Sequence, residues 1–299
     1  MNALAATWGA RLLLGVMWVL HLLPLPVLAA IGSATGMLLY GLAGARRRVA
    51  LRNLELCFPE LAPDQRHRLA REHFRWLGRS ILERSLLWFA PAERLKSLIH
   101  VEGDVKLAER SPKPVMWLVP HFMGLDVAGV AVLLFQDQYA CSMYQAQSNP
   151  VMDDIIRKGR LRFGEKAEIF PRSDKALPLI RAIRKGHAFF NLPDMDFGER
   201  DAAFVPFFGV SAATLLAPSR MARALDMVVQ PVVAEMLPGG QGYRVHFGEP
   251  FENFPTDDPV ADTAAMNRWI EREIRRNPAQ YLWVHKRFKT RPAGQPGLY

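Results

Sequence analysis

His121 stands just past an apolar run, Val115 to Val119, and Asp126 follows it by five residues. An imidazole oriented by a carboxylate is a general base, and a hydroxyl is its natural target. On one continuous helix five residues turn through about 500°, which would point these two side chains apart. The pair therefore requires a strand that ends before His121, a loop bent at Gly124, and a helix whose first turn carries Asp126. A helix N-terminus favours a carboxylate. Open α/β sheets place ligands beyond the carboxyl ends of their strands, where His121 would sit.

Other residues offer chemistry with less specificity. Asn149 to Arg162 carries Arg157, Lys158, Arg160 and Arg162 around Gly159. Such a cluster either clamps a phosphate, or charge developing on an oxygen, or is a solvated helix end. Asp194 and Asp196 follow a strand-like Ala188 to Leu192. Two acids after a strand can bind a metal or position a basic residue. No further acids cluster with them, so no metal is expected. Phe204 to Gly209, with Phe207 at its centre, reads as a hydrophobic wall or as plain core. His285 to Lys289 and Arg291 form a basic tail, either a phosphate contact or a solvated end. There is no glycine-rich phosphate loop, and Ser219 lacks the Gly-x-Ser-x-Gly elbow.

These residues need a frame. Strands are expected near 115–119, 139–144, 187–192, 203–207, 228–236 and 243–247. Helices are expected near 124–135, 149–161, 174–185, 214–225 and 260–276. An earlier helix runs from Asp64, read as its cap, to Phe89. The alternation predicts an α/β fold, a mostly parallel sheet flanked by helices, with N-terminal helices added.

Arg11 is the only charged residue before Arg46 in this chain of 299 residues. Leu12 to Ala45 is uncharged and broken by Pro24 and Pro26. Leu12 to Leu23 alone would reach about 18 Å as a helix, short of the roughly 30 Å hydrocarbon core. The stretch either spans with a kink or folds as a re-entrant or interfacial helix pair. Residues 1–45 are thus expected to anchor the chain to a membrane, and 46–299 to form a cytoplasmic domain. Arg46, Arg47, Arg48 and Arg52 would hold that domain on the cytoplasmic side. The net charge of +9 favours anionic partners such as acidic lipid. A nucleic-acid partner is not expected, since no recognisable module accompanies the charge. Cys57 and Cys141 lie far apart, with no metal-ligand spacing, and suit a reducing compartment.

Together the blocks resemble the late (secondary) lipid A biosynthesis acyltransferases, lauroyl or myristoyl type. These lie within the lysophospholipid and glycerolipid acyltransferase superfamily. The similarity runs through Arg46–Glu60, His121–Asp126, Asn149-Pro150 with Gly159-Arg160, Pro193-Asp-Met-Asp196-Phe-Gly, Phe204–Gly209, and Gln280–Lys289 to Arg291-Pro292. The resemblance implies acyl transfer from acyl carrier protein to a hydroxyl of a lipid A precursor of the Kdo-lipid IVA type, at the cell inner membrane, with no cofactor. It implies His121 as base, Asp126 as its orienting acid, and Arg160 as the stabiliser of an oxyanion or phosphate. Asn149, Arg162, Asp194, Asp196 and Phe207 would complete the substrate site. Asp194 and Asp196 would orient the basic cluster, and the Phe204–Phe208 wall would line the acyl channel. Some members carry Glu at the position of Asp126, whereas Asp matches the wider superfamily. A different lipid acceptor, or an inactive basic scaffold, is the competing reading.

Overall fold

The structure is a computed structural model that describes residues 3–172 and 176–299. It opens with three helices: α1 (Ala3–Leu20), α2 (Leu25–Leu42) and α3 (Gly44–Cys57). The long α4 (Pro63–Phe89) and short α5 (Ala92–Leu98) follow. Strand and helix then alternate: β1 (Ile99–Gly103), α6 (Leu107–Arg110), β2 (Val115–Leu118), α7 (Leu125–Leu134), β3 (Ala140–Tyr144), α8 (Pro150–Arg160), β4 (Ala167–Pro171), α9 (Leu177–Arg184) and β5 (Ala188–Asn191). A hairpin of β6 (Ala202–Phe207) and β7 (Val210–Leu215) leads to α10 (Ala217–Ala224), β8 (Val228–Met236), β9 (Tyr243–Phe247) and α11 (Pro259–Arg276).

Seven strands form one sheet in the order β1-β9-β8-β2-β5-β3-β4. Every neighbouring pair is parallel except β8 with β9. The α/β class and the mostly parallel sheet are as expected. Side chains alternate across a strand, and β2 divides its own between two cores. Val115 and Trp117 pack with Val127, Val130 and Ala131 of α7. Met116 and Leu118 pack with Ile183 of α9 and Ile270 of α11. An apolar run buried on both faces is what a central parallel strand requires.

Three strands escape sequence reading: β1, β4 and β7. The last occupies residues assigned in part to a helix near 214–225, which begins only at Ala217. The first residues of the helix expected near 174–185 lie outside the described range. Asp64 does not cap α4. The helix starts one residue earlier, at Pro63, and the Gln65 side chain accepts from the Ala62 amide at 2.7 Å.

The uncharged N-terminal run folds as two helices joined by a turn at residues 21–24. Among the described residues, α2 is the one helix long and apolar enough to cross a membrane. It does not stand alone, because its Gly32 and Gly36 meet Gly78 of α4 at backbone contact. A Cβ on Gly36 would lie 1.9 Å from the Phe74 carbonyl oxygen, and one on Gly78 would lie 2.2 Å from the Gly32 oxygen. Leu25 and Leu28 of α2 are buried in the same core as Trp117 and Tyr243. The other side of the pair leaves Leu12, Trp18, Val19, Leu22, Leu38 and Leu42 exposed.

Candidate active site

The histidine loop leaves β2 at the carboxyl edge of the sheet, as expected, and the helix after it begins at Leu125 with Gly124 at its cap. The acid that meets His121 is a different one. β2 and β5 are parallel neighbours, with Leu118 opposite Asn191. Each chain then runs three residues further, to His121 on one side and Asp194 on the other. Equal offsets from a paired register bring the two side chains together. The His121 Nδ1–H donates to Asp194 Oδ1 at 2.6 Å, and the His121 amide donates to Asp194 Oδ2 at 2.9 Å. Both carboxylate oxygens are thus engaged by one residue. This leaves Nε2 as the free acceptor nitrogen.

Asp194 is fully buried. Burial alone would raise its pKa, but the adjacent His121 charge and hydrogen bonds hold it down to about 2. The carboxylate therefore stays ionised and favours an imidazolium when one forms. The loop is fixed from behind by the C-terminal segment. Leu282 N–H donates to the His121 carbonyl at 2.9 Å, and Met123 N–H donates to the Gln280 carbonyl at 2.8 Å.

Asp126 sits in the first turn of α7 but faces away from His121, toward two arginines. Arg84 Nε of α4 donates to it at 2.8 Å, and Arg160 Nη2 of α8 at 3.4 Å. Burial would raise the Asp126 pKa, but the two guanidiniums lower it to about 2. The helix-start placement expected for Asp126 is correct, and its partnership with His121 is not formed. Arg84 carries no local signal in the sequence. It is one of six arginines on α4, and its partner is 42 residues away.

The other expected site residues separate. The Asn149 side chain accepts from the Val151 and Met152 amides, which makes it the N-cap of α8. Arg162 donates to the carbonyls of Leu87 and Phe89, tying β4's approach to the end of α4. Asp196 takes the amide and hydroxyl of Thr290, both at 2.7 Å, and so pins the C-terminal tail. Neither Asp194 nor Asp196 touches the basic cluster, which corrects the role expected for them. Phe207 is fully buried among Phe208, Tyr281 and Phe288. It belongs to the core on the α9–α11 side of the sheet. Phe207 and Phe208 therefore back the site rather than lining its opening, while Phe204 is exposed. Arg287 of the basic tail is buried under Phe207 and donates to Ala213 and Thr214.

The opening lies on the other face. An apolar pocket with about 780 Å³ of empty space, mouth included, runs between α7 and strands β3, β4 and β5. Asp126, Arg160 and Leu192 line it at the end nearest Asp194; Leu133, Ala140 and Ala167 line its far end. Trp88 forms part of the wall and rests on Gly159, where a Cβ would come within 2.4 Å of the indole. An apolar pocket with a few polar groups among its lining suits a hydrocarbon ligand.

Two buried histidines near this centre give stability a pH signature. Burial lowers His73 and His285 to about 4. For His285 the Asp194 charge opposes that shift, and Arg287 adds to it. Both stay neutral in the folded protein while the unfolded chain takes up protons below about pH 6.5. Stability is therefore complete above that value and is lost as pH falls toward 4, by on the order of 3 kcal/mol for His73 alone. Thermal unfolding from pH 7.5 to 4.5 should show a falling midpoint. A midpoint that stays level, or rises on acidification, would contradict neutral burial.

Comparison with known proteins places the chain among named relatives. A family model described as bacterial lipid A biosynthesis acyltransferase matches residues 3–290. The chain is 36% identical over 289 residues to the lipid A biosynthesis palmitoleoyltransferase of Escherichia coli (strain K12), covering 96% of this chain and 92% of that one. It is 32% identical over 295 residues to the lauroyltransferase of the same organism, covering 98% and 95%. To the myristoyltransferase it is 30% identical over 296 residues, covering 96% and 89%.

Proposed function

The chain belongs to the bacterial lipid A biosynthesis acyltransferase family, and from that premise we propose a specific transfer. A fatty acyl chain moves from an acyl carrier protein thioester to a hydroxyl of a lipid A precursor of the Kdo-lipid IVA type. The product is an acyloxyacyl ester. The observation that carries this reading is the His121–Asp194 pair at the carboxyl edge of the sheet, together with an apolar pocket whose lining includes Asp126, Arg160 and Leu192 from that same edge.

His121 Nε2 takes the proton of the acceptor hydroxyl as its oxygen attacks the thioester carbonyl. Asp194 holds the tautomer and stabilises the imidazolium. Arg160, braced by Asp126, stabilises negative charge on the carbonyl oxygen or holds a substrate phosphate. Collapse of the tetrahedral intermediate re-forms the carbonyl and breaks the carbon–sulfur bond. The departing thiolate takes the proton from Nε2. The attacking oxygen comes from the lipid, so neither cysteine has a role. Both are buried, and burial raises Cys141 to about 12. No cofactor enters the scheme.

The exposed apolar residues of α1 and α2, next to Arg46 and Arg48, suit the cytoplasmic face of the inner membrane. The basic surface would draw both the phosphorylated acceptor and an acidic carrier protein. The test is mass spectrometry of products from detergent-purified protein. It would be given a panel of acyl carrier proteins and lipid A precursors, with lysophosphatidate as an alternative acceptor. The expected result is one added acyl chain on the lipid A precursor. Acylation of lysophosphatidate alone would overturn the acceptor. Release of the protein from membranes by salt alone would overturn the hydrophobic attachment.

A further inference from the structure

Gly129 has no structural reason to be glycine. It sits in the middle of α7, a ten-residue helix. Glycine there is a poorer helix former than alanine. Gly32, Gly36, Gly78, Gly124 and Gly159 each abut another atom closer than 3.0 Å from where a Cβ would stand. A Cβ on Gly129 would meet nothing within 4 Å. The empty space it would enter is the apolar pocket. Asp126, Gly129, Val130 and Leu133 all line that pocket, and their spacing is one face of a helix. Across the pocket the sheet contributes the small Ala140, Ser142 and Ala167 together with the larger Ile169 and Phe190.

We propose that Gly129 is a chain-length determinant. Its missing side chain is the passage for the middle of the acyl chain, and its size sets how long a donor the enzyme accepts. The proposal rests on the acyl-transfer reading above. Asp126 to Leu133 spans seven residues of helix, roughly 10 Å. An extended hydrocarbon with ~1.5 Å bonds advances roughly 1.25 Å per carbon, so roughly eight carbons lie below Asp126. Gly129 is three residues in, roughly 4.5 Å along the axis, beside about the fourth of those carbons. A larger side chain there closes the lower half of the slot.

Each methylene excluded should weaken acyl binding about fourfold, the fold-change that corresponds to ~0.8 kcal/mol. Gly129→Ala should lower the preference for long over short donors about fourfold. Gly129→Leu should shift the optimum to donors about four carbons shorter and cut the long-to-short ratio by on the order of 10². Gly129→Ala should also raise the melting temperature, because alanine is the better helix former and has room.

The experiment measures initial rates of full-length wild type, Gly129→Ala and Gly129→Leu with saturated acyl carrier proteins from eight to sixteen carbons. In parallel, the melting temperature of each is followed with free fatty acids of the same lengths, since ligands that bind the folded state stabilise it. The expected result is a graded shift toward shorter chains in both readouts. An unchanged length profile, a uniform loss at every length, or destabilisation by Gly129→Ala would overturn the proposal. The two readings fail differently. A wild type that transfers nothing but is stabilised by fatty acids in a length-dependent way defeats the acyl-transfer reading and leaves the pocket assignment standing.

Discussion

Asp194→Asn should lower acyl transfer by about 10⁴ without unfolding the protein. Asparagine keeps the carboxylate's shape but can offer its amide to Nδ1 and so favour the wrong imidazole tautomer. That change costs about 10⁴ where a hydrolase triad acid is treated the same way. Here both oxygens of Asp194 contact His121, so the amide group must displace one of two hydrogen bonds. His121→Ala should abolish transfer at least as completely. Asp126→Asn should cost far less, because its carboxylate reaches arginines and not the histidine. The measurement is the initial rate of all three variants, with circular dichroism to confirm folding. Near-normal turnover by folded Asp194→Asn would sink the pairing. So would an Asp126→Asn loss equal to that of Asp194→Asn.

Arg160→Ala should lower turnover by about 10² to 10³, the usual effect of removing one donor that meets developing negative charge. Arg160 is about 38% exposed at the pocket mouth and is steered by Asp126. Its loss should therefore leave stability nearly unchanged, in contrast to its large effect on rate. If Asp126 acts through Arg160, the two substitutions should not add. The double variant Asp126→Asn with Arg160→Ala should be about as slow as Arg160→Ala alone. A wild-type rate in folded Arg160→Ala would remove it from the site. Full additivity would give Asp126 an independent role.

The frame around these residues was legible because its signals are local. Val115–Val119 is an apolar run that ends at a histidine, and the stop between His121 and Leu125 follows from Gly124. What sequence could not supply was adjacency. Asp194 meets His121 because β5 lies beside β2, and strand order is a tertiary property. Asp126 was the nearer acid along the chain, and nearness in sequence stood in for nearness in space. The missed strands have physical causes as well. β4 is a five-residue edge strand containing one Glu and ending in Pro. β7, Val210–Leu215, has two alanines before its Thr-Leu and runs into a helix after one residue. The pocket was invisible for the same reason as the dyad partner. Its walls come from α4, α7, α8 and three strands, and Gly129 means nothing until their spacing is known.

The seam between α2 and α4 decides where this polypeptide can be shortened. Gly32, Gly36 and Gly78 bring two backbones into contact, and nothing smaller could replace either helix at that seam. Arg84, which braces Asp126, lies on the same α4 that α2 covers, and Glu83 beside it is buried and bonded to Tyr243. A gene trimmed before Gly44 would therefore not yield a soluble catalytic fragment. It would uncover a glycine-lined furrow and the cavity left by Leu25 and Leu28, each in the core that supports β2. The apolar N-terminal helix pair is thus a wall of the same folding unit that holds the His121–Asp194 pair.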